Sequence, residues 1–470
     1  MKLSKLNPKK INFNDVDKNY SGQDILMKLG ELYQFESGIF GYGNIWTKME
    51  RIVENIIIDE LDKADCIQAE FPKLQPRKIW EQSGRWDVYT KEADIMFNMS
   101  NNLGDYGLAP TAEECATIFG ANRLLSYKNL PATYYQIGEK FRKEIRARGY
   151  LFRPRTFVMM DAYSFDKTQE DMHKTFEKMH DVYMNIFKRI GINIIPVVSD
   201  GGTMGGRVSE EFQAITKLGE DIILYNEEKN IGINKEVLDF KDKETFIDRL
   251  QGLSLEDMKE YNSVELGNNF ELGTKYSEAM GLTYQDENGQ SKPYYMGCYG
   301  IGLGRIIATT IENNIIIKND RVKGFAIPEN IAPYKVQIIY SDENKEKAFE
   351  LYNKLKDNGV NAIIDDRENL NMGNRINDVY ALGTPYMLVM GKKFEDGKYE
   401  LETSKTGKKE IFSIDELIKK CQWGGIEGRS LNSLFGGIWG QSLNLFLFVE
   451  KNWLSYINIK KMLLWVFYFL

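Results

Sequence analysis

The chain has 470 residues, 43% of them hydrophobic and 27% charged, with a formal net charge of −7. That length allows two or three domains with substantial cores, and the negative balance excludes a nucleic-acid partner held by overall charge rather than by local basic patches. Four widely separated cysteines without a CxxC pair, and only two histidines, exclude a disulfide framework, a thiolate zinc site and a multi-histidine metal site. The N-terminal MKLSKLNPKKINFND has no apolar core and does not read as a signal peptide, so a cytoplasmic setting is expected.

In residues 47–64, Met49, Ile52, Val53 and Ile56 recur at helical spacing with charges opposite, which predicts an amphipathic helix. A short apolar run, 67–71, follows and ends at Pro72. Helix and run together read either as a subunit interface or as a plain core element. Residues 140–155 carry seven basic side chains: Lys140, Arg142, Lys143, Arg146, Arg148, Arg153 and Arg155. The chain then turns apolar, which predicts a hairpin with a cationic tip. Alternation with Phe141 and Ile145 puts Arg142 and Glu144 on one strand face, a cation beside an acceptor. Phe157, on the return strand, offers a ring to stack on a purine. The run reads either as a solvated basic face or as a polyphosphate site, since guanidinium forks match phosphate oxygens.

An amphipathic helix is expected over 168–190, with His173 and His180 as ordinary surface or packing residues, and then a strand near 192–198. Residues 226–262 are polar and charged and read as a surface excursion that forms no core. Gly300, Gly302 and Gly304 precede a helix expected to begin near Arg305. The spacing is GxGxG, so a dinucleotide fingerprint is weak; small residues here suit close helix–sheet packing, with Arg305 facing an anion at the helix start. Pro328 and Pro333 bracket a linker, and 334–420 read as a compact α/β unit. Residues 421–470 hold four of the seven tryptophans, and their last apolar run is too short to span a bilayer. No membrane partner is assigned, and this extension has no assigned role.

Seven segments occur in a telling order: LQPRKIWEQSGRW (74–86), LAPTAEE (108–114), KFRKEIRARGYLFRPRTFVMMDAYSF (140–165), GGRVSEEF with GED (205–221), FELGTKYSEAMG (270–281), MGCYGIGLGR (296–305) and DDRENLNMGNR (365–375). Over roughly residues 20–420 the chain resembles class II prolyl-tRNA synthetases of the bacterial type. The resemblance implies an α+β fold: a catalytic domain with an antiparallel sheet flanked by helices (1–327), then an α/β anticodon-binding domain (328–420). It implies L-proline, ATP with Mg²⁺, and tRNA(Pro) as substrates, no zinc, and a homodimer formed through motif 1. By resemblance, Arg142 contacts the α-phosphate and the proline carboxylate, and Glu144 accepts from the adenine amino group. Arg153 holds the outer phosphates, Phe157 stacks on adenine and Arg305 holds the γ-phosphate. Glu265 and Asn268 lie on the ribose or metal side. Thr111 and Glu113 receive the imino group of proline, Phe270 and Cys298 line its ring pocket, and Asp365, Asp366 and Arg367 read the anticodon. Lys143, Arg146 and Arg148 are expected at the loop tip, near the tRNA acceptor end.

Departures are local except for one. Bacterial-type enzymes commonly insert a large editing domain between motifs 2 and 3, where this chain has only 222–264, so editing in cis is expected to be absent. Glu210 stands where His is usual, Asn268 where His is frequent, Glu271 where Gln is frequent and Met160 where Lys is usual. Two alternative readings stand beside it: a seryl-, threonyl- or glycyl-type synthetase, and a synthetase-like regulatory or tRNA-binding protein without aminoacylation.

Overall fold

The computed structural model describes residues 1–422 except 12, 14–15, 17–18, 145–149 and 201–207, so Arg146, Arg148 and the extension from 423 onward lie outside the described residues. Helix α1 spans Asn44–Lys63 and buries Ile45, Met49, Ile52, Val53, Ile56 and Ile57, the stripe that the spacing predicts. It feeds strand β1 (Ile67–Gln68), which runs parallel to β2 (Ala132–Phe141) at one edge of a nine-stranded sheet. β2 and β3 (Thr156–Asp166) form the predicted hairpin.

Helix α3, named after α2 (Glu113–Ala121), spans Gln169–Ile190. Thr168 starts it by accepting the Asp171 N–H at 3.1 Å, and Gly191 ends it at φ 87°, a left-handed turn that glycine makes without Cβ strain. Its apolar face, including Phe176, Met179, Tyr183 and Phe187, is buried.

The remaining strands of this sheet are β4 (Ile195–Ser199), β5 (Val208–Ile215), β6 (Asp221–Asn226), β7 (Ile231–Asn234), β8 (Lys259–Gly273) and β9 (Tyr295–Gly302). The order is β5-β4-β7-β6-β8-β9-β3-β2-β1, with β5 also paired to β8. The 15-residue β8 pairs with β6 through its first residues and with β5 and β9 further on. Strands β5, β4, β7, β6 and β8 therefore close on themselves in a ring. Around it Val198, Ile233, Val237, Phe246, Leu250 and Met258 form a buried cluster. This corrects the reading of 226–262 as a surface excursion. Its apolar residues are sparse and separated by charges, yet two strands and four short helical turns bring them together.

Helix α4 (Leu303–Glu312) leaves β9 directly, two residues before the expected start. Gly300 packs closely beside it: a Cβ there would lie 2.3 Å from the Met159 methyl and 3.0 Å from Asn268 Oδ1, so those side chains would have to shift. Further on, β10 (Val336–Tyr340), α5 (Lys345–Asp357), β11 (Ala362–Ile364), α6 (Met372–Leu382), β12 (Tyr386–Met390), β13 (Tyr399–Thr403), β14 (Lys409–Phe412) and α7 (Ile414–Cys421) build a second sheet. Its order is β11-β10-β12-β13-β14, with the first three strands parallel and the last two antiparallel. Among the described residues no helix is long and apolar enough to cross a membrane.

Candidate active site

Two adjoining cavities open on the β2–β3–β9–β8 face, of about 250 Å³ and about 560 Å³. Arg142, Glu144, Arg153, Met159, Asn268 and Gly300 line both.

The smaller cavity lies between the hairpin and the start of α4, and Phe157 and Arg305 line it. Strand β2 ends at Phe141, so Arg142 and Glu144 lie in the loop beyond it and not on a strand face. The Arg142 N–H donates to Arg155 O at 3.0 Å and closes the hairpin, and Glu144 N–H donates to Arg142 O at 2.8 Å. The Arg142 guanidinium donates through Nε to Pro110 O at 3.3 Å and sits 5.2 Å over the Phe157 ring. Arg153 pairs with Glu220 at 2.5 Å. Arg305 donates to Phe152 O at 2.9 Å, to Glu265 O at 2.9 Å and to Glu265 Oε2 at 3.0 Å. Asn268 Nδ2 donates to the other Glu265 oxygen at 2.6 Å.

Behind Glu265 lies Glu211, which motif matching did not single out. Burial, and then the neighbouring Glu265 carboxylate, push Glu211 up to about 8. Burial and Glu265 also raise Asp221. Three carboxylates thus crowd toward two arginines at this end of the cavity.

The larger cavity is built by register. Phe270, Cys298 and Tyr163 are direct partners on β8, β9 and β3, and form one wall. Burial pushes the Cys298 thiol well above its ordinary value, which fits a wall residue and not a nucleophile. Thr111 Oγ1 donates to Glu113 at 2.7 Å, and Arg85 Nη1 reaches Glu113 at 2.9 Å and Glu114 at 3.0 Å. Arg85 is 4% exposed and lies against the rings of Trp80, Tyr89 and Tyr276. Tyr163 donates to Asp161 at 2.8 Å and accepts from the Ala112 N–H at 2.9 Å.

Sequence reasoning missed Arg85, Asp161 and Tyr163. The last two share the period-2 face of Phe157 and Met159, a signal present in the sequence. It also misplaced Lys140, which is 2% exposed and pairs with Asp161 at 2.6 Å, so it belongs to the floor and not to the cationic tip. Lys143 turns to Asp94 at 2.8 Å.

The histidines are more specific than surface residues. From α3, His173 Nδ1 lies 2.7 Å from Glu271 and His180 Nδ1 lies 2.8 Å from Glu210. Each of these acids meets a histidine across the helix–sheet contact.

The three residues expected to read the anticodon are engaged internally. Asp365 is fully buried, pairing with Arg367 at 2.8 Å and Arg375 at 3.2 Å. Arg367 also holds Asp378 at 2.5 Å, and Asp366 accepts from Ser4 N–H and Oγ–H at 2.8 and 2.7 Å. A buried, doubly paired carboxylate has no free edge for a base, so Asp365 holds this end of β11 together and is corrected to a structural role.

Residues 91–314 match the family model described as tRNA synthetase class II core domain (G, H, P, S and T), and 332–423 match the anticodon binding domain. A protein of Sulfurimonas denitrificans named Proline--tRNA ligase is 34% identical over 419 residues, covering 85% of this chain and 93% of that one. The chain belongs to the proline--tRNA ligase family. A Rickettsia bellii relative of the same name is 34% identical over 404 residues, covering 83% of this chain and 91% of that one. A Bacillus subtilis relative is 28% identical over a longer alignment of 549 residues, covering 85% of this chain and 96% of that one. Among solved structures, prolyl-tRNA synthetase from Cryptosporidium parvum complexed with L-proline and AMP shares the fold. Its TM-score is 0.67 at 18% identity, covering 86% of this chain and 75% of that one. The family model spans five specificities, but the named relatives are of the proline type, against the seryl, threonyl and glycyl alternatives.

Proposed function

We propose that this protein activates L-proline with ATP, releasing pyrophosphate, and transfers the prolyl group to the 3′ end of tRNA(Pro). The observation that carries the reading is Arg142 at the junction of the two cavities. One side offers an acid and a hydroxyl, Glu113 and Thr111, for a charged imino group. The other offers Arg305 and Arg153 for phosphates. A carboxylate oxygen of proline attacks the α-phosphorus in line, the bond to the bridging oxygen breaks, and pyrophosphate leaves. Charge grows on the α-phosphate as this happens, and a fixed guanidinium there stabilises the transition state. The protein supplies positioning and electrostatics, and no covalent enzyme intermediate is needed. Glu144 and Phe157 bound the adenine end.

Mg²⁺ suits the donor set. Glu265 and Glu211 are hard oxygen donors, and the pressure that raises Glu211 is what a divalent cation relieves. Bound with ATP, it would neutralise phosphate charge beside these two residues.

Several finer expectations join the proposal. These are a motif 1 homodimer through α1, tRNA recognition by the 332–423 unit, a cytoplasmic site of action, and the domain limits 1–327 and 328–420. So does the absence of cis editing. Segment 222–264 is short, and the Bacillus subtilis alignment is far longer than the part of this chain that it uses. Pyrophosphate exchange with each amino acid in turn tests the activity. Exchange dependent on proline is expected; exchange with no amino acid refutes the reading in favour of a regulatory or tRNA-binding role.

A further inference from the structure

We propose that residues 222–264 are a positioning element of the ATP site, in which Asn234 holds Glu211 and, through it, the Glu265–Arg305 pair at the phosphate end. The proposal rests on the reading of the smaller cavity as an ATP site.

The segment is tied into that site at both ends. It begins after Asp221, whose carboxylate accepts the Glu265 backbone N–H, and it returns at Glu265 itself. Asn234 ends β7 with both amide atoms engaged. Its Oδ1 accepts the Glu236 N–H at 3.1 Å, which fixes the amide plane, and its Nδ2 donates to Glu211 Oε2 at 3.3 Å. A second link runs through Ser263, whose Oγ donates to Gln213 Oε1 at 2.5 Å, while Gln213 Nε2 donates to Glu211 Oε2 at 2.6 Å. Strand β5 is also held from the segment at its backbone, where Arg249 Nη2 donates to Ser209 O at 2.6 Å.

Glu211 lies opposite Asn268 in the β5–β8 register, and Asn268 donates to Glu265, so the three share one face of the sheet. Two carboxylates kept this close repel each other, and directed donors are what fixes their separation. A segment that merely filled space would need the buried apolar cluster but not these donors. The short stretch 222–264 that leads back to Glu265 is therefore part of the machinery that orients Arg305.

The test substitution is Asn234→Ser. It keeps a short oxygen acceptor for the Glu236 N–H, adds no charge, and is too short to reach Glu211. Binding of a non-hydrolysable ATP analogue with Mg²⁺ is measured by calorimetry on the full chain, with melting temperature and the KM for proline alongside. The expected result is binding weakened about five- to tenfold, the scale of one ordinary net hydrogen bond, with melting temperature and proline KM unchanged. Ser263→Ala is expected to act in the same direction. Analogue binding within about twofold of the unaltered chain overturns the proposal. So does equal weakening of both substrates with a fall in melting temperature, which marks a general structural role, and so does an unaltered chain that fails to bind the analogue. If the unaltered chain binds the analogue but exchanges pyrophosphate with no amino acid, the proposed activity fails, and the binding comparison still decides the positioning role.

Discussion

Two neighbours in one basic run, Lys140 and Arg142, should respond to truncation in opposite ways. Arg142→Ala removes one N–H to a neutral carbonyl, about 1 kcal/mol, and one partly exposed cation–ring contact, about 0.5–1 kcal/mol. Among the described residues Arg142 has no carboxylate partner, so no buried charge is left behind. The fold should lose at most about 2 kcal/mol. The reaction loses a donor aimed at developing charge, which is worth roughly 10²–10³ in rate or more. Lys140→Met is the converse. It strands Asp161, whose side chain is 6% exposed, and breaking such a buried pair costs about 3–5 kcal/mol. Urea unfolding and proline-dependent pyrophosphate exchange on both variants make the comparison. Arg142→Ala within tenfold of normal exchange, or less stable than Lys140→Met, would refute the assignment of floor and catalytic positions.

His180 is held above its ordinary value chiefly by its hydrogen bond to Glu210, so the pair's stability is fully present below the unfolded value near 6.5 and fades as pH rises through the folded value. The gap in melting temperature between the unaltered chain and His180→Gln should therefore be wider near pH 5.5 than near pH 8.5; an equal gap contradicts the pairing. Asp365→Asn should lower the unfolding midpoint of the C-terminal α/β unit, as expected for a buried carboxylate facing Arg367 and Arg375. A variant that weakens only tRNA charging, at normal stability, would restore Asp365 to base reading. On the proposal that 222–264 carries no editing site, Ala-tRNA(Pro), which forms because a proline pocket excludes alanine by only ~1–3 kcal/mol, should persist with the purified chain; rapid deacylation would contradict this.

What the sequence displays well is periodicity and order. The long helices α1 and α3 fall within a few residues of expectation, because their apolar stripes repeat over many turns and Thr168 and Gly191 mark the ends of α3. The family motifs name Arg142, Arg305, Thr111 and Glu113, which do line the two cavities. What it hides is direction. Lys140 and Arg142 look equivalent in a basic run, and only the buried Asp161 across the hairpin turns Lys140 inward. Asp365 looks solvated in DDRENLN until Arg367 and Arg375 close over it. The core of 222–264 depends on β7 running parallel to β4, a pairing between distant segments that no local pattern announces.

The most direct test of the central claim is aminoacylation of a tRNA(Pro) transcript by the purified chain with ATP, Mg²⁺ and each labelled amino acid. Charging of tRNA(Pro) with proline, lost in Arg142→Ala, is the result this account predicts. Charging with another amino acid in preference to proline, or none with any, would contradict it.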